Sequence, residues 1–152
     1  MNDKEYELWK KTVEKIVSEN KTILEEFEFW LQTKKLSIKT INNHIFNIDF
    51  FINDYLVRYE PIKAKDGAYE IGSFLGDFYI RKAMWASKSS LMENIVSFKK
   101  FYTFMVEANK TNIADFHEMK EIIKNEREEW FNSLEQFDSL AFDYEIDKFN
   151  KL

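Results

Sequence analysis

Cysteine is absent from this chain of 152 residues, and glycine and proline are scarce. Without cysteine there are no disulfides, no thiolate nucleophiles and no cysteine-ligated zinc site. Three glycines and one proline, all between residues 61 and 76, are too few for the tight turns that a sheet protein needs. The sequence has no apolar run long enough to span a membrane. Its first residues are charged, unlike a secretory signal peptide, so we expect a cytoplasmic protein.

Apolar and aromatic residues, by contrast, are abundant. Hydrophobic residues make up 45% of the chain and aromatic residues 17%, which is more than a disordered chain carries. The length suits one domain with a sizeable core. The sequence therefore predicts a single compact all-α domain over residues 1–152, with five to six helices.

Apolar residues recur at spacings of three and four, which is the pattern of amphipathic helices. They predict helices over about 3–19, 22–35, 38–59, 67–84, 88–108 and 113–136, with a short closing turn that contains Phe142, Ile146 and Phe149. Asn20 interrupts the first pattern, and Thr22 with Glu25 has the form of a capping box that restarts it. N-caps are predicted at Ser37, Ser87 and Asn112. The predicted centre of the core is Phe27, Trp30, Leu31, Ile41, Ile45, Ile48, Phe98 and Tyr102.

Charge is distributed unevenly along the chain. Residues 1–33 hold five basic and eight acidic side chains, residues 34–110 hold twelve and eight, and residues 111–152 hold five and eleven. A mildly basic centre is therefore flanked by acidic ends. A surface that binds phosphate is expected in the centre.

Three stretches within residues 22–110 follow one another in a familiar order. A helix that carries Trp30-Leu31 precedes Ser37-x-x-Thr40-Ile41. Helix 88–108 then carries Phe98-x-x-Phe101-Tyr102-x-Phe104. This order resembles the N-terminal core-binding domain of tyrosine recombinases, the phage integrase family, whose helical fold is SAM-like. The resemblance implies a four-helix unit of two crossed antiparallel pairs over 22–110, followed here by an acidic C-terminal helix and tail over 113–152. It also implies a clamp on one side of a DNA duplex, with a separate domain that cuts.

The catalytic residues of that family have no counterpart here. The resemblance calls for an arginine, a His-x-x-Arg motif and a nucleophilic tyrosine on a domain larger than the 40 residues after 112. The chain has three arginines, and His117 is followed three residues on by Lys120. We therefore expect no catalytic residue, no enzymatic activity and no cofactor. The only other histidine, His44, is expected to pack or hydrogen-bond inside a helix, so no metal site is expected either.

The candidate contacts to DNA come from the basic centre. Three lysines surround the helix start at residue 37, where backbone N–H groups and the helix dipole also favour phosphate. The polar face of helix 38–59 carries asparagines, which can pair with adenine edges, together with Phe46 and Asn53. Helix 88–108 places further lysines on its outer face. Each of these three groups of residues, taken alone, also fits an ordinary solvated surface. The candidate DNA-binding residues are Lys34, Lys35, Ser37, Lys39, Thr40, Asn42, Asn43, Lys88, Lys99 and Lys100.

Two alternatives to a DNA-binding domain remain open from sequence. The first is an all-α protein-interaction module in which the acidic helix 113–136 docks on a protein partner or forms a homodimer. The overall acidity favours it, since DNA-binding domains are usually basic. The second is a self-inhibited domain whose acidic helix folds over the basic face and mimics phosphates. Within one chain, the apolar stripe of helix 113–136 would cover the first helix through Trp9, Val13 and Ile16.

Overall fold

The computed structural model describes residues 1–150, without the side chain of Phe149. All regular secondary structure in this range is helical. Residues 151–152 lie outside it. A π-helical stretch, Phe50–Tyr55, continues the helix that ends at Asp49, and another, Phe74–Phe78, joins the short helices Ile71–Ser73 and Tyr79–Lys82 in one segment. Two 3₁₀ turns, Ala64–Asp66 and Ala68–Glu70, precede that segment. The α-helices are α1 (Asp3–Gln32), α2 (Ile38–Asp49), α3 (Ile71–Ser73), α4 (Tyr79–Lys82), α5 (Lys88–Glu107) and α6 (Ile113–Asn150). The predicted all-α class is confirmed.

The first helix does not break at Asn20, and the restart predicted at Thr22 is wrong. Asn20 is 1% exposed. Its amide donates hydrogen bonds to the carbonyl oxygen of Ile52 at 3.2 Å and to Oδ1 of Asn53 at 2.8 Å. Asparagine favours helix ends because its side chain competes for nearby backbone groups. Here the second helix and its π-helical continuation satisfy that side chain, so α1 runs unbroken for 30 residues.

The predicted N-caps are confirmed at the starts of three helices. The Ser37 and Ser87 hydroxyls accept hydrogen bonds from the N–H groups three residues on, at 3.2 and 3.1 Å. Asn112 Oδ1 accepts one from the N–H of Asp115 at 2.8 Å. Two short connections turn at non-glycine residues in the left-handed region, Lys35 with φ 59° and Asn109 with φ 57°. Because glycine is scarce, lysine and asparagine adopt this strained conformation after α1 and α5.

Aromatic rings fill the centre of the domain. Phe51 lies 4.5 Å from Phe98 and 5.0 Å from Phe74 between ring centroids, distances at which edge-to-face packing adds to burial. Six of the eight predicted core residues are buried, but Trp30 and Ile45 are only half-buried. Trp30 lies at the rim because its Nε1 donates to Oε2 of Glu107, at 2.5 Å.

Helix neighbours differ in part from the crossed pairs that the resemblance implies. α1 packs on α2 as expected, and α2 also packs closely on α5. The segment 71–82 meets α5 through the hydrogen bond from the Tyr79 hydroxyl to Ser90 Oγ, at 2.7 Å. Its main neighbour, however, is α6. The cause is two small residues, Gly72 and Gly76, which let α6 approach the segment closely.

The last helix is longer than predicted and covers a different surface. Its apolar stripe packs on residues 68–82 and on α5, so the option in which it covers α1 does not occur within the chain. Trp9 of α1 instead donates its Nε1 hydrogen to the carbonyl oxygen of Tyr59, at 2.5 Å. The helix also continues through the predicted closing turn at 142–149. Leu134 is its last buried residue, and the described side chains of residues 135–150 are all exposed.

No helix within residues 1–150 combines the length and the apolarity needed to cross a membrane.

Candidate nucleic-acid interface

Three of the predicted lysines meet in a surface groove between the end of α1 and the middle of α5. We call it the basic groove. It is defined by residues of α1, of the α1–α2 connection and of α5: Trp30, Lys34, Leu36, Val96, Lys99, Lys100 and Thr103. Segments more than sixty residues apart in sequence therefore contribute positive charge to one surface.

The turn that ends α1 positions the first of these lysines. The N–H of Lys34 donates to the carbonyl oxygen of Leu31 at 3.0 Å, and the left-handed Lys35 then reverses the chain into α2. The Lys34 ammonium nitrogen lies 4.6 Å from the centre of the Trp30 ring, within the range of a cation–π contact. This contact holds the charge above the half-buried tryptophan, at the edge of the groove.

The lysines of the groove have no acidic partner within residues 1–150. The salt bridges in that range join Lys63 to Glu19, Lys110 to Glu26 and Arg81 to Asp77. None involves Lys34, Lys99 or Lys100, nor the neighbouring Lys35 and Lys39. Their positive potential is therefore not neutralised by a contact inside the chain, and an external anion can meet it.

The remaining predicted site residues spread outward from the groove. Thr40, Asn43 and Lys100 are half-buried, and the other seven candidates are exposed. Ser37 and Thr40 are occupied with each other, since the Ser37 hydroxyl donates to Thr40 Oγ1 at 2.9 Å. Lys88 precedes Lys99 by eleven residues, or about 16 Å along α5, and does not line the groove.

Part of the polar face predicted for the second helix is not available to a ligand. Asn53 donates to Oδ1 of Asp49 at 2.5 Å and accepts from Asn20 at 2.8 Å, so it belongs to the contact between α1 and the second helix. Phe46 is 51% exposed, but its ring packs edge-on against Trp85 at 5.3 Å. Asn42 and Asn43 thus remain as the asparagines of this face that can reach a ligand.

A buried polar network joins α2 to α5 near Lys100 of the groove. His44 Nδ1 and Ser97 Oγ are 2.6 Å apart, and the Asn47 amide donates to Ser97 Oγ at 3.0 Å and to Oε1 of Glu93 at 2.9 Å. Burial, and then the nearby Lys100 charge, lower the pKa of His44, while Glu93 opposes the shift. His44 and Ser97 are both buried, so this serine–histidine pair has no access to a substrate. The expectation that His44 is a hydrogen-bonded helix residue is confirmed.

The apolar floor of the groove escaped the sequence analysis. Val96 is 42% exposed beside half-buried Leu36. Val96 precedes Lys99 by three residues, so helical spacing alone places both on one face of α5. No sequence pattern places Leu36 in the groove, because its position depends on the turn at Lys35.

The acidic helix leaves the groove open. No described residue of α6 lines it, so the arrangement of the self-inhibited alternative, with this helix over the basic face, is not formed. Among residues 1–150, no group of three histidine, aspartate or glutamate side chains is arranged to hold a metal ion.

Comparisons with protein-family models, with curated proteins and with solved structures find no match to this chain.

Proposed function

We propose that the chain is a non-catalytic domain that binds the phosphate backbone of double-stranded DNA through the basic groove. One observation carries this proposal: Lys34 of the α1 turn and Lys99 and Lys100 of α5 meet on one surface, and no carboxylate of the described chain pairs with them. A duplex presents phosphates in closely spaced rows, and lysines bind them by releasing counterions. The exposed Lys35 and Lys39 extend the positive surface toward the start of α2.

Affinity in this mode is weak and sensitive to salt. Three to five phosphate contacts give a slope of log affinity against log salt of about −2.7 to −4.5, and dissociation constants of roughly 10⁻⁴ to 10⁻⁶ M. The overall charge of −5 opposes binding at long range. We therefore expect binding to be measurable at low salt and to depend little on DNA sequence, because phosphate contacts carry no base information.

The resemblance to the recombinase core-binding domain supports a duplex as the ligand. In that family the corresponding domain clamps DNA while a second domain cuts. A role of this chain in recombination or integration accordingly requires another protein that supplies the catalytic residues.

A titration of a labelled duplex at low salt tests the proposal. The test variant is Lys34→Ala/Lys99→Ala/Lys100→Ala. The matched control is Lys10→Ala/Lys11→Ala/Lys15→Ala, which removes the same charge from exposed positions of α1. We expect the test variant to flatten the salt slope by about three, and the control to keep the wild-type slope. Equal effects of both variants, or no salt-dependent binding by wild type, would contradict the proposal.

The protein-interaction alternative has support from a different part of the molecule. The apolar stripe of helix 113–136 is buried within the chain through Met119, Ile123, Trp130 and Leu134, so it is not a surface for a partner. Beyond it, α6 exposes Leu140, Phe142 and Tyr144 by 65% or more each. These apolar residues add to the exposed carboxylates of helix 113–136 as candidate contacts for a protein partner.

A further inference from the structure

The end of α6 is an acidic helix that extends beyond Leu134, the last buried residue of α6. We call residues 135–150 the acidic tail. It holds five carboxylates and one lysine, and its described side chains are all exposed. Because it also exposes large apolar residues, it combines negative charge with a surface that water solvates poorly.

One face of the acidic tail brings these two properties together. Glu135, Asp138, Phe142 and Glu145 follow at spacings of three, four and three, so they share a side of the helix, and Ile146 lies one turn after Phe142. Phe142 is twelve residues beyond Trp130, about a third of a turn around the helix from the buried stripe. Measured from Leu134, the last buried residue, Phe142 lies about 80° around the helix, so this face lies beside the stripe that holds α6 on its own domain.

The basic groove has the complementary arrangement. Its floor is Leu36 and Val96, and its lysines are Lys34, Lys99 and Lys100. None of these lysines has an acidic partner among residues 1–150. A helix carrying Phe142 between carboxylates can place its ring on the floor and its charges against the lysines, as complementary interfaces do.

The tail cannot occupy the groove of its own chain while α6 stays helical. The helix is continuous to Asn150, its stripe is buried up to Leu134, and the residues after that project away exposed. Pairing of two acidic tails with each other is disfavoured, since each carries a net charge of −4 and like charges across an interface repel.

We propose that the acidic tail of one copy docks in the basic groove of a second copy. Reciprocal docking makes two identical contacts related by a two-fold axis, which closes a dimer instead of extending a filament. The inference gives the protein-interaction alternative its partner, and it does not depend on nucleic-acid binding. Because the groove is then filled, dimerisation and duplex binding exclude each other.

A charge exchange tests this arrangement with the full chain and without DNA. Variant one is Asp138→Lys/Glu145→Lys in the tail, and variant two is Lys34→Glu/Lys99→Glu in the groove. In sedimentation experiments at low salt, we expect wild type to form dimers. The association constant of the dimer should fall about tenfold or more as the salt concentration rises. Each variant alone should be monomeric, because its own tail and groove repel. An equimolar mixture should form dimers again, because both tail–groove contacts then join opposite charges.

Three results would overturn the inference: a monomeric wild type at low salt, dimers of either variant alone, or a mixture that stays monomeric. Circular dichroism of each variant checks that α6 is still formed. The matched control is Lys10→Glu/Lys15→Glu on exposed positions of α1, which should leave dimerisation unchanged. Failure here is distinguishable from failure of the proposed DNA binding, which is measured by duplex titration with the lysine variants.

Discussion

The close approach of α6 to the segment 71–82 predicts a specific coupling between Gly76 and Trp130. A Cβ on residue 76 would lie 2.7 Å from Cδ1 and 2.9 Å from Nε1 of Trp130, and this indole is 3% exposed. A rigid buried ring cannot move aside, so Gly76→Ala overpacks the contact. We expect it to lower the free energy of unfolding by about 1–3 kcal/mol.

Gly72 supplies the matched control on the same face of the segment. A Cβ there would meet the carboxylate end of Glu126 at 3.0 Å, and this flexible side chain can swing into solvent. Gly72→Ala should therefore leave stability unchanged or raise it by up to about 1 kcal/mol, through the better helix propensity of alanine. The comparison separates the effect of the indole from the general effect of replacing glycine.

The double variant Gly76→Ala/Trp130→Ala completes a thermodynamic cycle. Trp130→Ala alone should cost about 3–5 kcal/mol, because it empties a buried site. In the double variant the new methyl group no longer meets a ring, so the total cost should be smaller than the sum of the single effects by about 1 kcal/mol or more. Urea denaturation followed by circular dichroism gives all four free energies. Additive effects, or equal costs for Gly76→Ala and Gly72→Ala, would refute this account of the α6 contact.

Three further predictions concern other parts of the domain. Asn20→Ala should lower the free energy of unfolding by about 1–3 kcal/mol in urea melts, because it leaves the buried carbonyl of Ile52 without that donor. His44, whose pKa is lowered in the folded state, binds protons more readily when unfolded. Wild type should therefore lose stability as pH falls below about 6.5, and His44→Gln should lose less over that range; equal slopes in melts between about pH 5 and 7 would contradict this. A chain ending at Leu134 should keep the wild-type free energy of unfolding within about 0.5 kcal/mol in urea melts, since the residues removed are exposed.

Three helix N-caps could be predicted because capping depends on near neighbours in sequence. Ser37, Ser87 and Asn112 cap helices in the structure as their local sequences indicate. Near neighbours in sequence did not determine the role of Asn20. Its side chain would favour a break if it had only nearby backbone groups to bond, but residues about thirty positions away satisfy it. The same holds for the candidate site. Its lysines were identified from sequence, but the sequence did not show that Lys34, Lys99 and Lys100 line one groove.

The sequence by itself determined that the protein is helical, because apolar spacing and the scarcity of turn residues are local properties of the chain. It also determined that the centre is basic and both ends are acidic. Only the tertiary structure decided which helices touch. Two glycines placed α6 on residues 71–82, and the left-handed Lys35 brought Leu36 to the groove beside α5. It also decided which apolar residues stay exposed: Leu134 is the last buried residue of α6, so Phe142 and Ile146, which follow it, remain in water. Burial depends on what lies opposite a side chain, and local spacing does not contain that information.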